Sequence, residues 1–456
     1  MNSKLQSTTR PNPPFPVSSP FSKTISTHHS PYTMFIDSTE YQARLARPFV
    51  PPTATLKQIH DAVPKHLLRK DPVRSFGYVA RDVSLCIAMF AFAAYIEPMA
   101  RSGCFGLIPA VRPWHILLLK TASWLFYWWW QSLVFASFFC IAHELGHGTL
   151  FHSRYANDIP GFILDTFILL PYFAWQATHN IHHKAVGSIE RDENYVPHLR
   201  EHYKLPPQER ATRADYAEVF DETPVMTLFR MIVMQVFGWW CYLSFNAMGP
   251  KAYPEGTNHF SPYSALFKPE QRRGIILSDI GLAIMVSLLI AFGVQYGWMS
   301  LLKYYFIPYV LCNHWIVMCT FLHHSDPSIP HYRKAEWTFL RGVVATVDRP
   351  LLGWIGRFFF HNVSHDHIAH HFFSSAPFYN QPQITEAIRN VLKDDYNYDS
   401  TNSFYALYRS FTECVFVEED EDIVFYKNGR GEVARHIAQD GSHNCKGTEW
   451  EIAEIS

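Results

Sequence analysis

Residues 124–139 are almost continuously apolar, and they run through Cys140, Ile141 and Ala142 into His143-Glu144-Leu145-Gly146-His147. A bilayer span needs about 20 apolar residues, and residues 123–142 supply them. A backbone in hydrocarbon satisfies its own hydrogen bonds as a helix. Two histidines four apart then lie on one face of that helix, where both imidazoles reach one metal. Taken alone, the five residues fit H-E-x-x-H, the zinc metalloprotease pattern in which the glutamate is the general base.

Apolar segments recur along the chain. Residues 83–96 form the first span, with Arg81 and Asp82 at its start, where charged side chains reach the interface. Residues 161–175 are apolar but short and interrupted by Asp165 and Pro171, so they lie in or against the membrane. Three more segments follow, at 225–248, 275–294 and 301–322, the last ending on His323-His324. The composition agrees: 48% hydrophobic, 16% aromatic and only 17% charged, against roughly 25% charged in soluble proteins. A net charge of −1 provides no field to attract nucleic acid. The eight cysteines form no C-x-x-C pair and read as scattered small apolar residues in a reducing compartment.

The polar parts fall at the ends. Residues 1–33 are rich in Ser, Thr and Pro, hold no cleavable signal peptide and read as disordered. The polar arm, expected to be disordered, extends to residue 50, the principal domain covers 51–425, and a polar tail occupies 426–456. Residues 54–64 pattern as a short amphipathic helix at the membrane surface, and 418–422 as an acidic, solvated run.

Histidine is the unusual residue, with 25 copies. His179, His182 and His183 stand at i, i+3 and i+4, and His367, His370 and His371 repeat that spacing. With His143, His147 and His324 they make nine candidate imidazole ligands, more than one metal takes, which points to two metals. Imidazole-rich, cysteine-poor sites suit iron, copper or zinc. Glu144, Asp192, Glu193 and Asp366 are placed to accept the second N–H of a metal-bound imidazole. His361 and His365 lie close to the third cluster and are open either way. His152, His198, His202, His259, His314, His323 and His331 lack ligand spacing and default to surface, interfacial or supporting positions.

One site requires all clusters on one side of the membrane, so an even number of spans separates His183 from His324. Residues 225–248 carry Arg230, Gln235 and Asn246 and precede Gly249-Pro250, so this segment is the one expected not to cross. The expected fold is an all-α integral membrane protein: about four transmembrane helices, and a cytosolic helical cap carrying a histidine-rich di-metal site.

The three clusters, their order and the segments between them resemble membrane-bound fatty acid desaturases. Gly187-Ser-Ile-Glu-Arg-Asp-Glu193 with Tyr195-Val-Pro197 is similar to the segment after the second histidine box in delta-12 (omega-6) oleate desaturases. So are Glu336-Trp337, Leu340-Arg-Gly342, Ala345-Thr-Val-Asp-Arg349, His361-Asn362 and the stretch from His367 to Ser374. Thr55-Leu-Lys-Gln-Ile59, Pro64-Lys-His66 and Arg74-Ser-Phe76 resemble the amino-terminal part of fungal members. The resemblance implies a non-haem di-iron site on the nine histidines, facing the cytosol at the endoplasmic reticulum, with both termini cytosolic. It implies O2 as co-substrate, electrons from cytochrome b5 and its NADH-dependent reductase, and conversion of phospholipid-linked oleoyl to linoleoyl. No His-Pro-Gly-Gly haem signature marks a fused cytochrome domain.

Two places depart from the family pattern. Leu145 stands where many members have cysteine, and Gly148 where they have a polar residue or histidine. Ser364-His365-Asp366 precedes the third box, where Asp-Thr is usual. Small changes there accompany acetylenase, conjugase or hydroxylase activity in relatives, so these outcomes stand beside delta-12 desaturation. A membrane zinc protease and a non-catalytic lipid- or metal-binding protein are the readings from other classes.

Overall fold

The computed structural model describes residues 34–102 and 113–438; the expected disorder of residues 1–33 and the end of the polar tail lie outside the described residues. The described chain is helical apart from one two-stranded ribbon. In order, α1 is Thr39–Leu45, α2 Leu56–Ala62, α3 Pro72–Arg101, α4 Pro113–Gly146, α5 Arg154–Phe167 and α6 Tyr172–Ala185. Then come α7 Arg213–Phe220, α8 Pro224–Phe245, α9 Arg272–Tyr296, α10 Trp298–Leu301 and α11 Ile307–His324. The remainder comprises β1 Pro330–Tyr332, α12 Phe339–Val344, α13 Trp354–Phe359, α14 His367–Phe372, α15 Gln381–Leu392, α16 Ser403–Glu413 and β2 Ile423–Phe425.

Local chemistry sets several starts. Asp71 accepts from the Val73 and Arg74 amides, and Pro72 opens α3 where its missing N–H costs nothing. Thr223 and Pro224 do the same for α8. Thr55 and Gln58 form a reciprocal capping box on α2.

Five stretches are long and apolar enough to cross a bilayer: α3, α4, α8, α9 and the α10–α11 run from Trp298 to His324. Segment 225–248, expected not to cross, is thus as long and apolar as a span, so length and composition do not set it apart. The interrupted segment at 161–175 is two helices, α5 and α6, bent by 110° between Phe167 and Tyr172. α4 and α11 form the centre, packed on each other and on α3, α5 and α8. The last fifteen residues of α4 before Gly146 are all buried. α3, α8 and α9 instead turn apolar side chains outward, among them Ile87, Phe229 and Ile284.

The cap has its own core. Ile59 and Val63 of the α2 region pack with Val343, Ile368, Ile384 and Ile388. The apolar face of α2, expected on the membrane surface, is therefore covered by protein. β1 and β2 pair antiparallel with His331 opposite Val424.

A buried ionic knot ties the cap to the end of α11. Arg349 donates to Asp326 and Asp399 at 2.5 Å each and to the Leu322 carbonyl at 2.9 Å. Arg409 also reaches Asp399 at 2.5 Å, and Arg44 donates to Ser328 at 2.7 Å. Arg44 belongs to α1, and Ser38 bonds Asp399 and Thr401. Residues 38–50 are accordingly part of the cap and not a loose arm. The tail joins in too, with Phe49 bridging Ile437. The acidic run also departs from expectation. Glu418 is buried, with Arg200 donating two hydrogen bonds to its carboxylate at 2.6 and 2.7 Å and Lys427 adding a third at 2.6 Å.

Candidate metal centre

Four helices deliver nine imidazoles to one place. The last turn of α4 brings His143, α6 brings His179, His182 and His183, α11 ends on His324, and α14 carries His367, His370 and His371. His147 follows α4 by one residue, its amide still bonded to the His143 carbonyl. Donor nitrogens of His143, His147, His179, His183 and His370 lie within 4.8 Å of one another, and those of His182, His324 and His371 form a second such group. His367 joins the second through Nε2 contacts of 3.0 Å to His324 and 3.1 Å to His371. Each H-x-x-H-H cluster is thus divided between the two groups.

Acidic residues act selectively. Asp192 accepts from His182 Nδ1 at 2.7 Å, and also from the amides of Asn194 at 3.0 Å and Gly187 at 3.1 Å. Glu144 is fully buried, with one oxygen 3.5 Å from His143 Nδ1 and 3.4 Å from His370 Nδ1, and Thr149 donates to the other at 2.9 Å. It stands behind the imidazoles, on the side away from their converging Nε2 atoms. A protease base has to face the metal-bound water instead, so the H-E-x-x-H protease reading fails on geometry. Asp366 pairs with Arg357 at 2.8 Å, and Glu193 accepts from the Tyr253 hydroxyl at 2.6 Å, so neither supports a cluster histidine as expected. His361 bonds Asp82 at 2.6 Å, and neither it nor His365 enters a ligand group.

Aromatic and backbone supports went unseen in the sequence. His323 donates from Nδ1 to the Val347 carbonyl, 2.6 Å away, and its ring stacks on His367 at 4.2 Å. Trp175 stacks on His179 at 4.3 Å; its place four residues earlier on α6 was a readable signal. Tyr195, held at φ +56°, stacks on His324 at 5.0 Å, and no local pattern announced it. Gly342 explains one quoted motif. A Cβ there would meet the Val186 carbonyl oxygen at 2.0 Å, so only glycine lets α12 approach the chain just after His183.

The donor set fits a metal. Nε2 atoms approach in pairs at 3.0–3.2 Å, as in His143–His147, His143–His370 and His179–His183. The Nδ1 atoms of His143, His183, His367, His370 and His371 are buried without hydrogen bonds. Neutral imidazoles that turn lone pairs toward each other in a buried space need a cation between them. Burial, reinforced by neighbouring imidazoles, holds His367, His370 and His371 well below the usual histidine range, which is the neutral, ligating form.

A cavity of about 300 Å³ opens onto the histidines, lined by His143, His179, His182, His324 and His367 on one side and by apolar side chains of α8 and α11 on the other.

The fatty acid desaturase family model matches residues 122–402, the region that contains every one of these histidines. The chain belongs to the fatty acid desaturase family. A domain of unknown function matches residues 4–94. A delta(12) fatty acid desaturase of Mortierella isabellina is 36% identical over 381 residues, 82% of this chain and 91% of that protein. An oleate hydroxylase of Claviceps purpurea is 34% identical over 82% of its length and 83% of this chain. A delta(12)-fatty-acid desaturase of Arabidopsis thaliana is 33% identical, covering 81% of this chain and 89% of its own. Membership makes the protein an oxidoreductase of lipid metabolism. Within this family member the two departing residues of the first box are sterically distinct. Leu145 is fully buried in the core around α4, whereas Gly148 adopts φ +69° with open space where a side chain would project.

Proposed function

We propose that the protein is a membrane acyl-lipid desaturase that converts oleoyl to linoleoyl chains by delta-12 desaturation. The observation that carries this is the apolar cavity running directly onto the two histidine groups. His143, His147, His179, His183 and His370 would hold one iron, and His182, His324, His371 and His367 the other. Bound iron supplies the O2-dependent oxidation that an unactivated methylene pair requires. The overall change takes two hydrogens from adjacent methylenes and reduces O2 to two waters, using two electrons and two protons from outside.

The chain's own residues do the positioning. Phe139, Trp175, Trp239 and Phe321 line the cavity and offer a fatty chain contact without polar competition. Holding two adjacent carbons in register beside the metals selects the bond formed. Asp192 keeps His182 oriented, and Glu144 fills the space behind His143 and His370. The electron donor is cytochrome b5 with its NADH-dependent reductase, and the site faces the cytosol at the endoplasmic reticulum. In this reading α3, α4, α9 and α10–α11 cross the membrane and α8 lies against α11 without crossing, which leaves all nine histidines on one side.

Hydroxylation is the second reading, favoured by the 34% identity to the Claviceps oleate hydroxylase, close to the value for the desaturases. Expression in a yeast host lacking polyunsaturated lipids separates the two. An 18-carbon 9,12-diene is the expected product; hydroxylated chains without the diene would replace the first reading by the second, and unaltered fatty acids would defeat both.

A further inference from the structure

Three hydrogen bonds in series lead from the surface of the cap to a histidine of the second group. Trp337 Nε1 donates to the Val186 carbonyl at 3.1 Å. That carbonyl belongs to the same peptide group as the Gly187 amide, which donates to Asp192 at 3.1 Å. The other Asp192 oxygen accepts from His182 Nδ1 at 2.7 Å. The indole is thus joined to His182 through one peptide group and one carboxylate, both delocalised, and no link in the series is longer than a hydrogen bond.

The outer end of this series reaches solvent and the inner end does not. Trp337 is half-buried in a segment where Lys334, Ala335 and Thr338 are exposed, and exposed Arg191 lies over its ring at 4.7 Å. Val186, Gly187, Asp192 and His182 are all buried. The contact is closely built: a Cβ at Gly342 would lie 2.9 Å from Trp337 Nε1 as well as 2.0 Å from the Val186 oxygen. Holding the loop after His183 in place asks only for a packed ring. The indole adds an N–H aimed at the one peptide group whose far side meets the carboxylate behind a ligand. Orientation of His182 accounts for Asp192 but not for that N–H.

We infer that Trp337 is the electron-entry residue, the point at which electrons from a one-electron haem donor docked on this part of the cap pass inward to the metal of the second group. This rests on the proposed function, in which each O2 consumed needs two electrons from outside. Each reduced haem gives up one electron and becomes oxidised, so two donors serve one turnover, and no covalent bond forms or breaks along the series. Bonds and hydrogen bonds couple electronically better than a gap between packed atoms. Breaking the first link therefore slows the arrival of electrons and leaves the events after arrival unchanged.

The test compares full-length, metal-loaded wild type with Trp337→Phe, which keeps the ring and loses the N–H, and with Trp354→Phe, which alters an exposed indole of α13. Each is mixed without O2 with excess reduced haem domain of cytochrome b5, and haem oxidation is followed by absorbance. Losing an outer partner of a metal ligand costs about tenfold or more, and the limiting rate at saturating donor should fall by about that factor in Trp337→Phe and stay at the wild-type value in Trp354→Phe. Metal content and the number of electrons finally accepted should match wild type. Protein reduced beforehand with dithionite and then given O2 should form as much product per metal pair as wild type. An unchanged limiting rate in Trp337→Phe overturns the inference and puts electron entry elsewhere. A slower rate accompanied by a matching loss of metal, or of product from the pre-reduced protein, also overturns it, because that marks a structural anchor. If metal-loaded wild type forms no product even when reduced beforehand, it is the proposed function that has failed, and the electron-entry role falls with it.

Discussion

Asp192→Asn changes one atom and tests whether the carboxylate behind His182 governs the second ligand group. Three donors converge on Asp192: His182 Nδ1 and the Asn194 amide on one oxygen, the Gly187 amide on the other. An asparagine has one oxygen for these three. Oriented to keep His182, it turns its NH2 toward the Gly187 amide and leaves buried donors face to face, a cost of about 1–3 kcal/mol. Oriented the other way, it presents NH2 to His182 and breaks the bond that holds the ring. In either pose the charge-assisted bond is lost, and such bonds are about twice as strong as neutral ones. Losses behind metal-bound histidines run to about 10–100-fold in metal affinity, or roughly 1.4–2.7 kcal/mol.

The effect should be uneven. His182 belongs to the group with His324 and His371, while the other group has five histidines of its own. Asp192→Asn should therefore release about one metal per chain to a chelator well before the second, with activity falling in step. Purified protein, timed exposure to chelator and elemental analysis provide the readout. Asp366→Asn is the control, because Asp366 pairs with Arg357 and not with a cluster histidine, and it should keep both metals. If Asp192→Asn holds both metals for as long as wild type while remaining folded, the argument that Asp192 orients a ligand is refuted.

Other outcomes follow from the same geometry. His370→Ala removes a member of the five-histidine group whose Nε2 lies 3.0 Å from His143, and should abolish product and lower bound metal; product at the wild-type level would remove His370 from the site. Arg349→Ala leaves Asp326 and Asp399 buried with one guanidinium fewer, and should cost about 3–5 kcal/mol, read as a large drop in the unfolding midpoint in detergent. Burial alone would raise the Asp399 carboxyl, but Arg349 and Arg409 together hold it below the usual carboxylate range. Its contribution is then complete above the unfolded value of about 3.9 and is lost as pH falls toward the folded one, so the stability gap between wild type and Asp399→Asn should narrow progressively as pH falls below about 4. Gly342→Ala forces a Cβ to within 2.0 Å of the Val186 oxygen and should displace the chain after His183, lowering stability and bound metal together; unchanged metal content would show that this approach does not matter to the site.

The parts of this site that were legible in the sequence are those set by helical period. Ligand spacings and apolar runs are local, and a helix turns them into faces whatever else the chain does. Allocation of ligands is not local. Both i+3 and i+4 fall on nearly the same face, so nothing in H-x-x-H-H assigns His182 to one group and His183 to the other; the arrival of α11 and α14 decides it. Acidic partners show the limit most sharply. Asp366 adjoins His367 in sequence, yet neighbours on a helix point about 100° apart, and Arg357 from α13 takes it. Asp192 lies ten positions from His182 and reaches it because the loop after α6 folds back, tied by the Gly187 amide. Glu418 reads as one solvated charge among five, and its burial depends on Arg200, 218 residues away. Low dielectric makes each buried charge depend on its partner, so the role of a charged residue is set by the element that packs against it, which sequence adjacency does not identify.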